Sequence, residues 1–402
     1  MDVELVRMDR ADIYKSGVLA AQLLRHERTV EFRYDDGYLA SRGEAVATTL
    51  PLTGEPFVTP SRSVPAYFAG LLPEGRRLTA LRSALKTSAD DDYSMLLAVG
   101  ADPIGDVQVV PAGEPCPSVG DPNNGVELGD VSFIELFAAA VGADPDRVGI
   151  AGVQDKVSGR MISVPVTLSD GAGHLLKFDP PEFPHLVQNE AFFLGMASAC
   201  GIETVESTVI TDREGRFGLL ITRFDRRRSS GRVVALACED GCQVNNRYPA
   251  DKYALDAEAM LSGLVRPCTA RLVAARDLMR QMAFAIVTGN GDLHAKNISV
   301  LRDGDEWLPS PAYDLPSSAP YGDRTLAVAI GASREGQVSR RRFLALSESL
   351  GVPGRATTMM LDELLARAEP WLDRVTELPF DQRRCRDLAQ LMRRRISLLR
   401  GD

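Results

Sequence analysis

The chain has 402 residues, of which 45% are hydrophobic and 25% charged, so it can bury a large core and is long enough for two or three domains. Its net charge of -9 argues against a general nucleic-acid binder, because a protein that neutralises phosphates needs a basic surface. No apolar run has the length of a signal peptide or a membrane span, and we therefore expect a cytoplasmic protein without membrane contact. The six cysteines are scattered, which argues against a disulfide framework.

The first part of the sequence predicts a small α/β domain, which we place at residues 1–111. Strand-like runs include TVEFRY at 29–34 and GDVQVVP at 105–111, and the apolar spacing of 64–85 predicts helical structure between them. Residues 112–130 concentrate Pro, Gly, Asn and Asp, as a linker or a long loop does. We place the main domain boundary in that segment.

The rest of the sequence predicts a mainly β part followed by a mainly α part. Residues 131–143 have helical spacing, and the strand-like runs RMISVPVTL and HLLKFDP come after them. Helical periods dominate from about residue 255 onward. We place a β-rich lobe at 131–254 and an α-helical lobe at 255–402, which is the order found in protein-kinase-like chains. The sequence thus predicts an α+β protein with a protein-kinase-like bilobal fold.

The segment GDLHAKN, residues 291–297, carries an acid, an imidazole, an ammonium and an amide within seven residues. It follows a predicted helix that ends at Gly289, so Asp292 is expected on a loop. Asp292 and Asn297 have the D-x-x-x-x-N spacing of the kinase catalytic loop, in which the Asp accepts a hydroxyl proton and the Asn binds magnesium. That spacing alone is common, and a simple loop acid is the alternative for Asp292.

A second acid strengthens the kinase interpretation. ISVL and EWL flank the turn residues DGD and predict a hairpin at 298–308, after which Asp314 is expected to return beside Asn297. Phosphoryl transfer requires oxygen ligands for Mg²⁺ and a base aimed at the nucleophile, and Asp314 supplies the second ligand. His294 and Lys296 are candidates for steadying phosphate oxygens.

A kinase also needs a phosphate grip upstream of this loop. Lys177 ends the apolar strand HLLKFDP, where its ammonium can meet the α and β phosphates, and Glu190 in the next helix is its candidate ion-pair partner. The alternative for Lys177 is an edge-strand lysine. The segment GIAGVQDK at 149–156 has the glycines of a loop whose backbone amides cradle phosphates, and a plain turn is its alternative.

The run GLLITRFDRR at 218–227 reads as a buried strand that ends in polar residues. Its end is suited to an adenine-contacting hinge formed by Thr222, Arg223 and Phe224. A core strand followed by surface arginines is the alternative interpretation.

In their order and intervals, six motifs of this chain closely resemble those of the HipA toxins, the serine/threonine kinases of bacterial toxin–antitoxin modules. They are AGVQDK, HLLKFDP, QNEAFF, ITRFDRR, GDLHAKN and PAYDLPS. The resemblance covers nearly the whole chain, including the N-terminal stretch AYFAGLLPEG. It implies Asp292 as the base, Mg²⁺ at Asn297 and Asp314, Lys177 on the α and β phosphates of ATP, and the hinge at 222–224.

The resemblance also implies two further sets of nucleotide contacts. One is a phosphate loop formed by Ala151, Gly152, Val153, Gln154, Asp155 and Lys156. The other lines the nucleotide site and consists of His294, Ala295, Lys296 and Tyr313.

The resemblance implies a partner and a class of targets. The partner is a small HipB-like helix-turn-helix antitoxin that binds DNA and holds the toxin in a repressive complex, so this chain meets DNA only indirectly. The targets of such kinases are proteins, aminoacyl-tRNA synthetases among them. One departure concerns Gly149, which stands where the best-known members have an autophosphorylated serine that silences the kinase. The resemblance therefore does not carry self-inactivation over to this chain.

Two other functions remain open from the sequence. The chain can be a binding module that acts as a co-repressor for its antitoxin, or a kinase of small molecules with the same fold. The presence of Asp292, Asn297, Asp314 and Lys177 favours an enzyme, because a pure scaffold has no need for two divalent-cation ligands around a base.

Overall fold

The computed structural model describes residues 5–41, 43–61, 63–88, 90–118, 131–141, 161–168, 173–180, 182–229 and 232–401. Helices and strands alternate in its first part and helices dominate its last part, so the predicted α+β class is confirmed. The predicted segment 149–156 and most of the predicted linker lie outside the described residues. The described part of that linker, residues 112–118, contains turns and no regular element.

The N-terminal domain is built on a five-stranded antiparallel sheet with the strand order β4-β3-β2-β1-β5. The strands are β1 (Arg10–Lys15), β2 (Val18–Arg25), β3 (Thr29–Tyr34), β4 (Phe57–Pro60) and β5 (Val107–Pro111). The helices are α1 (Asp36–Ala40), α2 (Ala66–Gly70), α3 (Gly75–Leu85) and α4 (Asp92–Val99). Ile13, Leu23 and Phe32 are fully buried on the face that holds the core. Both predicted strands of this domain are confirmed, although the second begins two residues later than predicted.

The predicted helical stretch 64–85 is two helices, because its middle cannot continue a helix. The amides of Leu71 and Leu72 close the end of α2 on Phe68 and Ala69. Pro73 lacks an amide donor, and Gly75 adopts a φ of +55°, outside the right-handed helical range. The chain therefore turns at residues 71–74 before α3 begins. This turn lies against the candidate site described below.

A second antiparallel sheet has four strands in the order β6-β7-β9-β8. They are β6 (Ile162–Thr167), β7 (Gly173–Phe178), β8 (Ser207–Thr211) and β9 (Phe217–Thr222). The helices α5 (Phe133–Val141) and α6 (Leu186–Ala199) flank it. Because side chains alternate along a strand, Lys177 in β7 projects from the face opposite to Leu176 and Phe178, which are buried in a hydrophobic cluster.

The remaining strands form small sheets. They are β10 (Arg226–Ser229), β11 (Arg232–Ala235), β12 (Cys238–Asp240), β13 (Ser299–Asp303), β14 (Glu306–Pro309), β15 (Thr325–Ile330) and β16 (Ser333–Glu335). Strands β13 and β14 pair as an antiparallel hairpin, so the hairpin predicted at 298–308 is confirmed. Strand β12 adds to β13 and joins the β-rich part to the helical part.

Helices dominate the chain after residue 255 in the described structure. They are α7 (Ala257–Val265), α8 (Arg271–Thr288), α9 (Arg340–Ser349), α10 (Gly354–Ala368), α11 (Trp371–Arg374) and α12 (Gln382–Arg400). Helix α8 lies in the largest hydrophobic cluster and ends at Gly289, whose φ of +73° gives it the left-handed conformation of a helix C-cap. Helices α10 and α11 are separated at Pro370, because proline removes a backbone donor that a continuous helix requires. None of the helices in the described segments combines the length and the apolar character that crossing a bilayer requires.

An ionic network around the buried Asp225 joins the N-terminal domain to the end of β9. Arg223 and Arg226 bind Asp225 at 2.9 and 2.7 Å, and both also bind Asp102 of the N-terminal domain, at 2.9 and 2.6 Å. The amide of Gly105 donates to Asp225 at 2.8 Å. Burial alone would raise the pKa of the Asp225 carboxyl, but the two guanidinium groups outweigh it and hold this pKa below its usual value.

Glu239 of β12 forms a second buried contact with the N-terminal domain. Its carboxyl oxygens accept from the amide and the hydroxyl of Thr48 at 2.7 and 2.8 Å. Burial raises the pKa of Glu239 to about 7, so the protonated acid is the favoured form in the folded protein below that pH.

We expect Glu239→Gln to reduce the loss of stability that occurs as the pH rises from acidic to neutral. A carboxyl whose pKa is raised by folding stabilises the fold below its unfolded pKa of about 4.3, and this stabilisation disappears as the pH rises through about 7. Glutamine cannot ionise, and the Thr48 hydroxyl can accept from its amide. Between pH 5.5 and 8.5 the wild type should lose on the order of 2 kcal/mol relative to the variant, measured by thermal unfolding. If the stability of the two proteins changed equally with pH, the raised pKa of Glu239 would be contradicted.

Candidate functional site

The loop at 290–297, which we call the Asp292 loop, is fixed on both sides of Asp292. Gly289 ends α8 in the left-handed conformation, and the Asp292 amide then donates to the Asn290 side chain at 2.8 Å. The amide nitrogen of the Asn297 side chain donates to the Asp292 carbonyl at 2.9 Å. Asp292 itself is only 2% exposed. Asp292 and Asn297 therefore lie, as their spacing predicts, in one loop that these two hydrogen bonds hold closed.

The Asp292 carboxylate has a partner that the sequence analysis missed. The Tyr253 hydroxyl donates to Oδ1 of Asp292 at 2.9 Å, and the Tyr253 ring meets the His294 ring edge-on at 4.9 Å between centroids. His294 Nε2 lies 3.8 Å from the same oxygen. Burial first, and the Lys252 ammonium second, lower the pKa of His294 well below its usual value, so this imidazole is neutral.

Lys177 binds two carboxylates at once. Its Nζ lies 2.8 Å from Glu190 of α6 and 3.0 Å from Asp314, and Glu190 is fully buried. Burial alone would lower the pKa of Lys177, but Asp314 and Glu190 outweigh it and raise this pKa, so the ammonium stays charged. Burial raises the pKa of Glu190, the Lys177 ammonium opposes that shift, and Asp314 adds repulsion in the direction of burial. The predicted contact of Lys177 with Glu190 is present, and it extends to Asp314.

Asp314 adopts an unusual backbone conformation for a residue other than glycine. Its φ is +55°, in the left-handed region, and the Asn290 side chain donates to its carbonyl at 3.3 Å. Such strain persists only where the surroundings hold it, and it concentrates at functional sites. The fold thus holds the Asp314 carboxylate beside Lys177, and a hydrogen bond joins the Asp314 backbone to Asn290 at the start of the Asp292 loop.

Asn297 and Asp314 are suited to a hard divalent cation. With its nitrogen donating to the Asp292 carbonyl, the Asn297 side chain keeps its oxygen as the acceptor, and Asp314 supplies a carboxylate. Among the described residues, no group of three or more His, Cys, Asp and Glu forms a metal cluster. Magnesium commonly takes one or two protein ligands and completes its shell with phosphate oxygens and water, so these two residues fit that ion.

A cavity of about 300 Å³ adjoins this cluster, between the N-terminal domain and the second sheet. Of the residues predicted to contact a nucleotide, six line it: Lys177, Thr222, Arg223, Phe224, Lys296 and Tyr313. The rings of Phe224 and Tyr313 stack at 5.6 Å between centroids. The turn at 71–74 and residues 102–104 contribute the wall on the N-terminal side. Apolar walls with a few polar groups suit a flat aromatic base.

Lys296 and Tyr313, which line the cavity, also make contacts around it, and two other predicted residues do not line it. Lys296 donates to the Gly70 carbonyl at 2.8 Å and lies 3.4 Å from Asp240, so its ammonium faces the N-terminal domain. Tyr313 donates to the Lys296 carbonyl at 2.9 Å. Ala295 and His294 are buried in the Asp292 loop and do not line the cavity. Gly149 and the predicted phosphate loop at 151–156 lie outside the described residues.

Comparisons with known proteins agree on the class that these features define. The family model of the HipA-like C-terminal domain matches residues 148–372, and that of the HipA N-terminal domain matches residues 11–110. The Shewanella oneidensis serine/threonine-protein kinase toxin HipA is 27% identical over 338 residues, covering 77% of this chain and 76% of that protein. The protein Y4mE of Sinorhizobium fredii, which carries the provisional name of a kinase, is 28% identical over 397 residues, with 92% and 93% covered.

A comparison with solved structures also finds a HipA protein. The solved structure of the Shewanella oneidensis HipA, HipB and operator DNA complex contains a chain that matches with a TM-score of 0.73 at 22% identity. The match covers 97% of this chain and 96% of that one. The fold is therefore the bilobal, protein-kinase-like fold with an additional N-terminal α/β domain, as predicted. The chain belongs to the HipA family, whose named relatives are kinases.

Proposed function

We propose that this chain is an ATP-dependent serine/threonine protein kinase and the toxin of a HipA/HipB-like toxin–antitoxin pair. The observation that carries the proposal is the position of the Lys177 ammonium, 2.8 Å from Glu190 and 3.0 Å from Asp314, beside the loop that holds Asp292. A buried charge cluster of this kind is expensive to maintain and seldom favours stability over apolar packing. Binding of the ATP phosphates by Lys177 gives this charge cluster a function.

In the proposed reaction, Asp292 accepts the proton of a serine or threonine hydroxyl. The hydroxyl oxygen bonds to the γ-phosphorus of ATP as the bond to the bridging oxygen breaks, and ADP leaves. Lys177 binds the α and β phosphates, and the base of ATP occupies the cavity between the hinge at 222–224 and Tyr313. Residues 151–156 are proposed to bind the phosphates. Asn297 and Asp314 would hold Mg²⁺, which neutralises charge on the phosphates.

The proposed partners follow from the family. A relative of similar fold was solved with HipB and operator DNA, which supports a HipB-like helix-turn-helix antitoxin for this chain and contact with DNA through that antitoxin. The proposed acceptor is a protein, and the resemblance suggests an aminoacyl-tRNA synthetase. We place the reaction in the cytoplasm, where ATP and such acceptors occur. For the functional units we propose the N-terminal domain at 1–111, a linker at 112–130, and two kinase lobes at 131–254 and 255–402.

Expression in a bacterial host tests the proposal as a whole. The wild-type chain, produced without its antitoxin, should arrest growth, and co-expression of the helix-turn-helix partner should relieve the arrest. Asp292→Asn should be harmless because it retains the fold and the partner surface but lacks the base. Arrest by this variant at the wild-type level would favour a binding module over an enzyme.

A further inference from the structure

Tyr253 holds the carboxylate of Asp292 from a segment that lies 39 residues earlier in the chain. The phenolic oxygen is 2.9 Å from Oδ1 of Asp292, within the normal range of an O–H···O hydrogen bond. We propose that Tyr253 is a positioning residue for the base, an inference that rests on the proposed function. Its hydroxyl fixes the rotation of the carboxylate before the acceptor binds.

Positioning matters here because a general base acts only within hydrogen-bond reach of the proton that it abstracts. The Asn290 and Asn297 side chains fix the Asp292 backbone, and the position of the carboxylate then depends on the rotation of the side chain. His294 Nε2, at 3.8 Å, is too distant for a strong hydrogen bond to the same oxygen. The Tyr253 hydroxyl is well placed to restrain that rotation.

The segment that carries Tyr253 is itself anchored on three sides. The Lys252 side chain pairs with Glu74 of the N-terminal domain at 3.1 Å. The Lys252 carbonyl accepts from the Ala295 amide in the Asp292 loop at 3.2 Å, and Arg334 donates to the Tyr253 carbonyl. These contacts fix the position from which the hydroxyl reaches Asp292. They also connect the turn at 71–74 in the N-terminal domain to the base.

We expect Tyr253→Phe to lower kcat by about tenfold or more, the effect of losing a hydrogen bond to a charged group, with the KM for ATP unchanged. Tyr253 does not line the nucleotide cavity, so a binding defect is not expected. Phenylalanine keeps the ring against His294, whereas Tyr253→Leu removes the ring as well. If the hydroxyl positions the base, most of the loss appears already in the Phe variant.

Tyr248→Phe is the matched control. Its hydroxyl, in the same segment, donates to the Val64 carbonyl at 3.1 Å and makes no contact with Asp292. It should retain wild-type kcat. A Tyr253→Phe variant with wild-type kcat, or one that changes only the KM for ATP, would overturn the inference.

A second measurement separates the inference from the proposed function because it needs no activity. Tyr253→Phe should lower the thermal midpoint of the wild type but leave that of Asp292→Ala unchanged, since the hydrogen bond is already absent there. Equal decreases in the two backgrounds would show that the hydroxyl does not act on Asp292 and would overturn the inference. If Tyr253→Phe lowered the thermal midpoint only in the wild-type background and the wild type had no kinase activity, the proposed function would be wrong. The hydrogen bond between Tyr253 and Asp292 would still be established.

Discussion

Asp292→Asn is expected to lower the rate of phosphoryl transfer by about 10²–10⁴-fold, the usual effect of removing a positioned base. Asparagine is nearly isosteric with aspartate and its side-chain oxygen can still accept from Tyr253, so the loop geometry should persist. Asp292 does not line the nucleotide cavity, and ATP affinity should therefore be unchanged. Single-turnover transfer rates and a calorimetric titration with ATP and Mg²⁺ measure the two effects separately.

The contrast between rate and affinity is the important result for Asp292. A thermal midpoint equal to that of the wild type would confirm that the variant is folded. If transfer remained within threefold of wild type, Asp292 would not be the base, and a loop acid would be the correct interpretation. If ATP affinity fell with the rate, Asp292 would act on the nucleotide instead.

Asp314→Asn is expected to lower turnover by on the order of 10³-fold and to weaken the Mg²⁺ dependence of ATP binding, because a metal ligand supplies several kcal/mol of charge stabilisation. Asparagine is chosen over alanine because it tolerates the left-handed conformation of this position, where φ is +55°. The substitution thus removes the charge without adding backbone strain. ATP titrations with Mg²⁺ and with a chelator, for wild type and variant, provide the readout.

Asp305→Asn is the control for this charge change. Asp305 lies in the turn between β13 and β14, its side chain is fully exposed, and its weak contact with Arg302 is 3.5 Å long. This variant should match the wild type in both titrations. Equal ATP affinity of the wild type with and without Mg²⁺ would contradict the metal assignment for Asp314 and Asn297.

Much of the local structure was predictable because it depends on short-range rules. The end of α8 at Gly289 follows from the left-handed conformation that glycine permits, and the hairpin after Asn297 follows from two apolar runs around a turn. The prediction of helical structure at 64–85 missed the break at Pro73, and Pro370 likewise separates α10 from α11 within an otherwise continuous apolar spacing. In both cases the interruption itself was visible in the sequence.

The principal residues of the site could be chosen from sequence, but their arrangement could not. Lys177 and Asp314 are 137 positions apart, and only the fold brings them to 3.0 Å. Glu190 could be paired with Lys177 because the strand and the following helix are close in sequence. Their roles in catalysis stay proposals until the variants are measured.

No motif in the sequence indicates that residues of the N-terminal domain contribute to the site. The turn at 71–74 and the contact of Asp102 with Arg223 depend on packing between distant segments. Tyr253 belongs to no motif with a known spacing from Asp292, so nothing local marks it as a partner of the base. A tyrosine that follows a lysine in an irregular segment would be read as a surface residue.

The central claim is that this chain transfers the γ-phosphoryl group of ATP to a protein hydroxyl. The most direct test is incubation of the pure protein with γ-labelled ATP, Mg²⁺ and a bacterial lysate, followed by identification of the labelled species. We predict label on serine or threonine of a protein when the wild type is used, and none with Asp292→Asn. Label confined to a small molecule, or no transfer by the wild type, would contradict the claim.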